Sequence, residues 1–178
     1  SIRRQRQMCI RDRVRSDEAL QRAFGRKECA EQSTISETLN ASAQENVTQM
    51  RTGLKRIYRA HGKGYHHDYE NRCQVLDVDM TGMIAGHKAE NATKGFFSGK
   101  RNRRGRQLGR VLASLYDEIV YEKLYPGTVQ LEKSLQELVL EAEAVLGIEE
   151  WHRKHTILRV DGGGGRDEDI NWLSLIHI

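Results

Sequence analysis

Cysteine is scarce and irregular in this chain: Cys9, Cys29 and Cys73 are odd in number, widely spaced, and form no CxxC pair. That argues against a disulfide framework or a zinc knuckle, both of which need paired or clustered thiols, and it fits a reducing cytoplasm. No run approaches the roughly 18 consecutive apolar residues of a membrane helix, so no membrane partner is expected, and no signal-peptide core opens the chain. Nor does one sign of charge dominate. The 29 Lys and Arg against 25 Asp and Glu leave a formal net charge of +4, with a pI near 9.0. An anionic partner is favoured by where the positive charge sits rather than by its total. With 38% hydrophobic residues and a mean hydropathy of −0.70, the 178 residues can bury one core of modest size beside a small helical appendage.

Two terminal stretches stand apart from the rest. MCIRDR (Met8 to Arg13) and LSLIHI (Leu173 to Ile178) resemble translated sequencing-adapter sequence. The expectation is that residues 1–13 and 174–178 are non-native and that the native stretch between them is cut at both ends.

From Asp17 to His61 the apolar spacing is helical. Ala43, Val47, Met50, Leu54 and Ile57 recur four and three residues apart and so share one helical face, with Gly62 placed to stop the helix. Thr34-Ile-Ser-Glu37 has the spacing of a capping box. Short helices near 17–24 and 34–40 suit either a helix-turn-helix that reads DNA or a scaffold for the next domain. Residues 14–68 are therefore expected to form a helical N-terminal region, ending in the polar, linker-like Lys63 to Arg72.

Past that point the period changes to two. Gln74 to Thr81 alternates, with Leu76, Val78 and Met80 on one face and Val75, Asp77, Asp79 and Thr81 on the other. Gln107 to Leu115 and Ile119 to Tyr125 read as two strands around Tyr116-Asp117-Glu118, and the only proline, Pro126, stops the second with Gly127. Thr128 can cap a helix carrying Leu131, Leu135, Leu138, Ala142 and Val145, closed by Gly147. Thr156 to Val160 forms a further strand, and Asp167 opens another helix. A strand, a hairpin, a crossover helix and a strand make an α/β fold with a mixed sheet over residues 69–173.

Asp is a poor strand residue, and a buried charge costs several kcal/mol unless compensated. Yet Asp79 lies near the carboxyl end of the first strand and Asp161 at the carboxyl end of the last one. Ligands of open α/β sheets collect outside those ends. On adjacent parallel strands, about 4.8 Å apart, the two carboxylates can converge on one hard cation. Taken singly, either Asp reads as easily as a helix cap or an edge-strand residue.

LDVDMTG (76–82), LYPGT (124–128) and ILRVDGGGG (157–165), with the run ATKGFFSGKRNRRGRQLGRVLASLYDEIVYEKLYPGT, resemble the DDE-type insertion-sequence transposases over roughly Ala30 to Leu173. The resemblance implies a ribonuclease H-like mixed sheet, of which this chain holds the first half. It implies that Asp79, which precedes Met80-Thr81, is the first catalytic acid and metal ligand, rather than Asp77, and that Asp161 is the second. The third acid, a Glu farther along in such enzymes, has no counterpart here. The chemistry implied is metal-dependent phosphodiester cleavage and strand transfer with Mg²⁺ or Mn²⁺, on double-stranded DNA at transposon ends and target, by an enzyme that works as a homodimer in the bacterial cytoplasm near the nucleoid. Two metals about 3.5–4 Å apart serve such reactions. Lacking the Glu, the chain as written is expected not to cut DNA.

Lys100, Arg101, Arg103, Arg104, Arg106 and Arg110 follow one another with no acid between them. Beside a metal site in a DNA-acting family they are expected to contact the phosphate backbone; alone, such a run is equally a solubilising loop. Gly162 to Gly165 lacks the spacing of a phosphate-binding loop and reads as a flexible turn. His66-His67-Asp68 reads as linker, His152 and His155 as surface, and Trp151 and Trp172 as packing residues. The rival readings are a non-catalytic DNA-binding remnant and another ribonuclease H-like nuclease.

Overall fold

The computed structural model describes residues 17–97, 102–161 and 166–176, which form an α/β protein with a five-stranded mixed sheet. The chain divides into two compact units, Ser1–Gly53 and Leu54–Ile178.

In the first unit, α1 (Glu18–Ala23) starts at Asp17, whose carboxylate accepts from the amides of Ala19 and Leu20 at 3.0 and 3.1 Å. Helix α2 (Gln32–Ala41) follows. The Thr34–Glu37 capping box does not form: the helix begins two residues earlier, after Glu31, and Thr34 is an interior residue whose carbonyl accepts the Thr38 hydroxyl. Helix α3 (Gln44–His61) crosses the unit boundary, and Asn46 closes its start by accepting from the Ala43 amide at 2.8 Å. The stripe of Val47, Met50, Leu54 and Ile57 is exposed along it.

In the second unit the strands are β1 (Gln74–Ile84), the two-residue β2 (Thr93–Lys94), β3 (Arg104–Ala113), β4 (Glu118–Pro126) and β5 (Thr156–Val160). β1, β3 and β4 form an antiparallel meander, and β5 pairs with the other side of β1 in parallel. The order across the sheet is thus β4, β3, β1, β5, with β2 continuing the β4 edge along Arg104 and Gly105. β4 reaches β5 through a 3₁₀ turn (Leu131–Lys133), helix α4 (Leu135–Leu146) and the short α5 (Glu150–Arg153); α6 (Asp167–Ile176) follows β5.

Alternation decides which face is covered. Leu76 and Val78 of β1 and Val111 and Ala113 of β3 are buried against Leu135, Leu138, Val139 and Ala142 of α4. Trp172 of α6 packs on the same core, the role its sequence context suggests. Gly147 ends α4 at φ 68°, a left-handed conformation that costs glycine little, and the Ile148 amide closes the turn on the Glu143 carbonyl. Thr128 does not cap α4; its amide is taken by the Thr93 hydroxyl, and Ser134 precedes the helix instead. At the far end of the sheet the buried Phe97 ring lies against Gly82, Gly105 and Gly127, where a Cβ would fall within 3.0 Å of it.

Lys63 to Arg72 is not a linker. Gly64, His67 and Tyr69 are buried within it. His67 bridges the Tyr116 hydroxyl (2.7 Å) and the Arg72 carbonyl (3.1 Å), while Glu118 accepts the amides of Lys63 and Gly64. Polar composition misleads here because the polar groups pair with one another. Glu143, buried on α4, holds Arg153 of α5 through a bidentate ion pair, 2.8 Å at its shortest, and so sets the approach to β5.

The core makes a direct prediction. Leu138 is fully buried, whereas Leu140, two residues on, is 47% exposed. Leu138→Ala should lower the urea unfolding free energy by about 2–5 kcal/mol, and Leu140→Ala by less than about 1.

Candidate metal centre and basic face

Leu76, Val78 and Met80 of β1 face the core, so Asp77, Asp79 and Thr81 project to the other face. Water solvates these acids in part: Asp77 is half-buried and Asp79 exposed. Asp77 has a partner as well. Arg159 lies opposite it on β5 and grips it in a fork, Nε to Oδ1 at 2.5 Å and Nη2 to Oδ2 at 2.6 Å. This hydrogen bonding holds the Asp77 carboxyl below its ordinary range. Sequence reasoning did not pair these two. Its signal was the alternation itself, since Arg159 and Asp161 must share a face just as Asp77 and Asp79 do.

The last paired position of β1 and β5 is Val78 with Val160. Asp79 and Asp161 are the next residue on each strand. Both are exposed, and Asp79 falls on the face opposite the core. The Thr81 hydroxyl donates to Asp79 Oδ2 at 3.3 Å. Across β1 on its other side, Asp79 faces Arg110 of β3, but that guanidinium is committed to Glu122 of β4, at 3.0 Å. Each arginine beside the acids, Arg110 and Arg159, is thus held by a carboxylate other than Asp79.

Among the described residues no group of three or more His, Cys, Asp or Glu is arranged to hold a metal ion. Asp79 is the sixth of the eleven residues of β1, not near its carboxyl end as the sequence suggests, because the strand continues to Ile84; Asp161 directly follows β5. Carboxylate oxygens of this kind suit Mg²⁺, which keeps waters and binds through one or two carboxylates plus substrate phosphate. They do not supply a full two-metal site. Asp167, Glu168 and Asp169 add nothing to it: they form the first turn of α6, where Asp169 is buried and its Oδ1 lies 3.5 Å from Gln136 Nε2 on α4.

The basic run is divided. Lys100 and Arg101 lie outside the described residues, as do Gly162 to Gly165. Arg103 and Arg104 are exposed, the latter opening β3. Arg106 is half-buried, and its Nε donates to the Glu90 carbonyl at 2.6 Å, fastening the loop before β2. Arg110 forms its ion pair with Glu122. Lys94 pairs in register with Arg104 and is exposed, so it extends the basic surface that the linear run suggests. The remaining candidates sit elsewhere: His152 accepts the Glu149 amide at the start of α5, and its ring lies 4.1 Å from that of Trp151 and 4.5 Å from that of Tyr69.

Compared with known proteins, the chain matches no protein-family model, no curated protein and no solved structure. Among the described residues no helix is long and apolar enough to cross a membrane.

The Asp77–Arg159 pair predicts a pH signature. Because the folded-state value is depressed, the stabilisation is complete above the unfolded value near 3.8 and is lost as pH falls through the lower folded value. The pair is partly exposed, so the effect is at most about 1 kcal/mol. Urea midpoints measured from roughly pH 5 down to 2 should decline less steeply in Asp77→Asn than in the wild type.

Proposed function

We propose that this chain is part of a DDE-type transposase, with the ribonuclease H-like arrangement of strands, and that it handles DNA phosphate through a cation held by Asp79 and Asp161. The observation that carries this reading is the register: Val78 pairs with Val160, and Asp79 and Asp161 are the residues that follow them. The strand order β4, β3, β1, β5, with three antiparallel strands and then a parallel one, is what the motif resemblance leads one to expect.

Bound there, Mg²⁺ would supply positive charge to a phosphodiester and lower the pKa of a coordinated water. The chain's own contribution is an exposed Asp79 with no arginine among Arg110 and Arg159 bound to it, an Asp161 that follows β5, and Arg103, Arg104 and Lys94 offered to the backbone of double-stranded DNA. Such contacts position a duplex without selecting its sequence. With two acids rather than three, cation binding is weak and the reading predicts no cleavage by this chain. That paucity of acids also supports the second reading, a non-catalytic DNA-binding remnant, in which Asp79 and Asp161 only shape the sheet.

Titration of the full chain with Mn²⁺ followed by electron paramagnetic resonance separates the two. Asp79→Asn or Asp161→Asn should weaken binding by about tenfold or more. Equal binding by these variants and the wild type would leave only the remnant. For the basic surface, replacing Lys94, Arg103 and Arg104 together by Gln should reduce the slope of log affinity against log salt by about 0.9 for each phosphate that is no longer neutralised. An unchanged slope would remove these residues from the DNA surface. Plasmid nicking with Mg²⁺ should stay at background; nicking that Asp79→Asn abolishes would show the chain to be active.

A further inference from the structure

We infer that Arg159 is a positioning residue: by clamping Asp77 across the β1–β5 pair, it selects the alignment that brings Asp79 and Asp161 to one cation. The inference rests on the metal reading of those two acids and goes beyond it by assigning the device that aligns them.

β5 has five residues, Thr156–Val160, and is the last strand on its side of the sheet. Its grip on the core is slight. Leu158 and Val160 are only partly buried, and Ile157 is 50% exposed. Apolar burial forbids a slip of one residue, which would turn Leu158 and Val160 out to water. It does not forbid a slip of two, which keeps every side chain on its own face. A two-residue slip would carry Asp161 about 7 Å along the strand, level with Asp77 or Thr81 instead of Asp79. In one direction it would also set Arg159 against Asp79 and cancel the charge of the site. The fork between Arg159 and Asp77, closed by two short hydrogen bonds, favours the native register over the slip that would set Arg159 opposite Val75, where no carboxylate meets it, and in the native register it keeps Arg159 off Asp79. Lysine cannot do this equally well, because its single ammonium makes no planar two-point contact.

The sign of a mutant's effect tests the idea. Arg159 is a positive charge two residues from Asp161, so if it acted by charge alone, removing it would tighten cation binding by about two- to threefold. If it aligns the acids, Arg159→Gln should instead weaken Mn²⁺ binding by about tenfold, and Arg159→Lys should also weaken it although the charge is kept. The probe is Mn²⁺ alone, titrated into the full chain, with circular dichroism on each variant to establish folding. Unchanged or tighter binding by Arg159→Gln, with Asp79→Asn still impaired, overturns the inference and leaves the metal reading in place. Should Arg159→Gln not fold, Arg159→Lys decides, weaker binding supporting the inference and unchanged binding overturning it. If the wild type binds no Mn²⁺, or Asp79→Asn binds as the wild type does, both fall.

Discussion

The parallel pairing of β5 with β1 is the constraint on which the rest depends. It joins chain segments some eighty residues apart, Asp77 with Arg159, and its last pair, Val78 with Val160, directly precedes the two acids. Nothing local to β5 enforces it. The strand is short, and what delivers it is the crossover through α4, seated on β4, β3 and β1 by Leu135, Leu138, Val139 and Ala142. The Glu143–Arg153 ion pair then turns the chain into α5 and onward to β5. The apolar layer chooses the face, and the polar fork at Asp77 completes the alignment.

The two faces of the sheet divide the work. One carries the core and settles stability, with six α4 side chains beneath the strands. The other carries the charges in pairs, Asp77 with Arg159 and Glu122 with Arg110. Each pair is partly exposed and contributes little to stability. Arg159 is held by Asp77 and Arg110 by Glu122, so neither of these arginines is paired with Asp79. A strand with Asp at alternate positions is tolerable because both project away from the core, so the cost of desolvating them is small.

Much of this was legible in the sequence, for physical reasons that also explain what was missed. The alternation of Leu76, Val78 and Met80 marked the strand and its faces, and the four-and-three spacing from Val47 to Ile57 marked α3. Gly147 marked the end of α4 because a left-handed residue was needed there. Register between distant strands has no local signature, so the partner of Asp77 could not be read. The Lys63–Arg72 segment reads as a linker from its composition, which does not reveal that the Lys63 amide is taken by Glu118 and that His67 is held by Tyr116 and the Arg72 carbonyl. Thr34 and Thr128 had capping chemistry in suitable places, yet one was absorbed into α2 and the other was bonded through its amide to Thr93. The linear run of basic residues likewise concealed that Arg106 and Arg110 are engaged by groups of this chain, while Lys94 stands beside Arg104.

The central claim, that Asp79 and Asp161 share one cation, is tested most directly by diffraction from crystals of the chain grown with Mn²⁺, using the metal's anomalous signal. The account predicts one peak beside Asp79 in the middle of β1 and Asp161 just past β5, with an oxygen of each of the two carboxylates at a coordination distance on the order of 2.1 Å. A structure at saturating Mn²⁺ with no peak between them, or with the two side chains on opposite faces of the sheet, would contradict it.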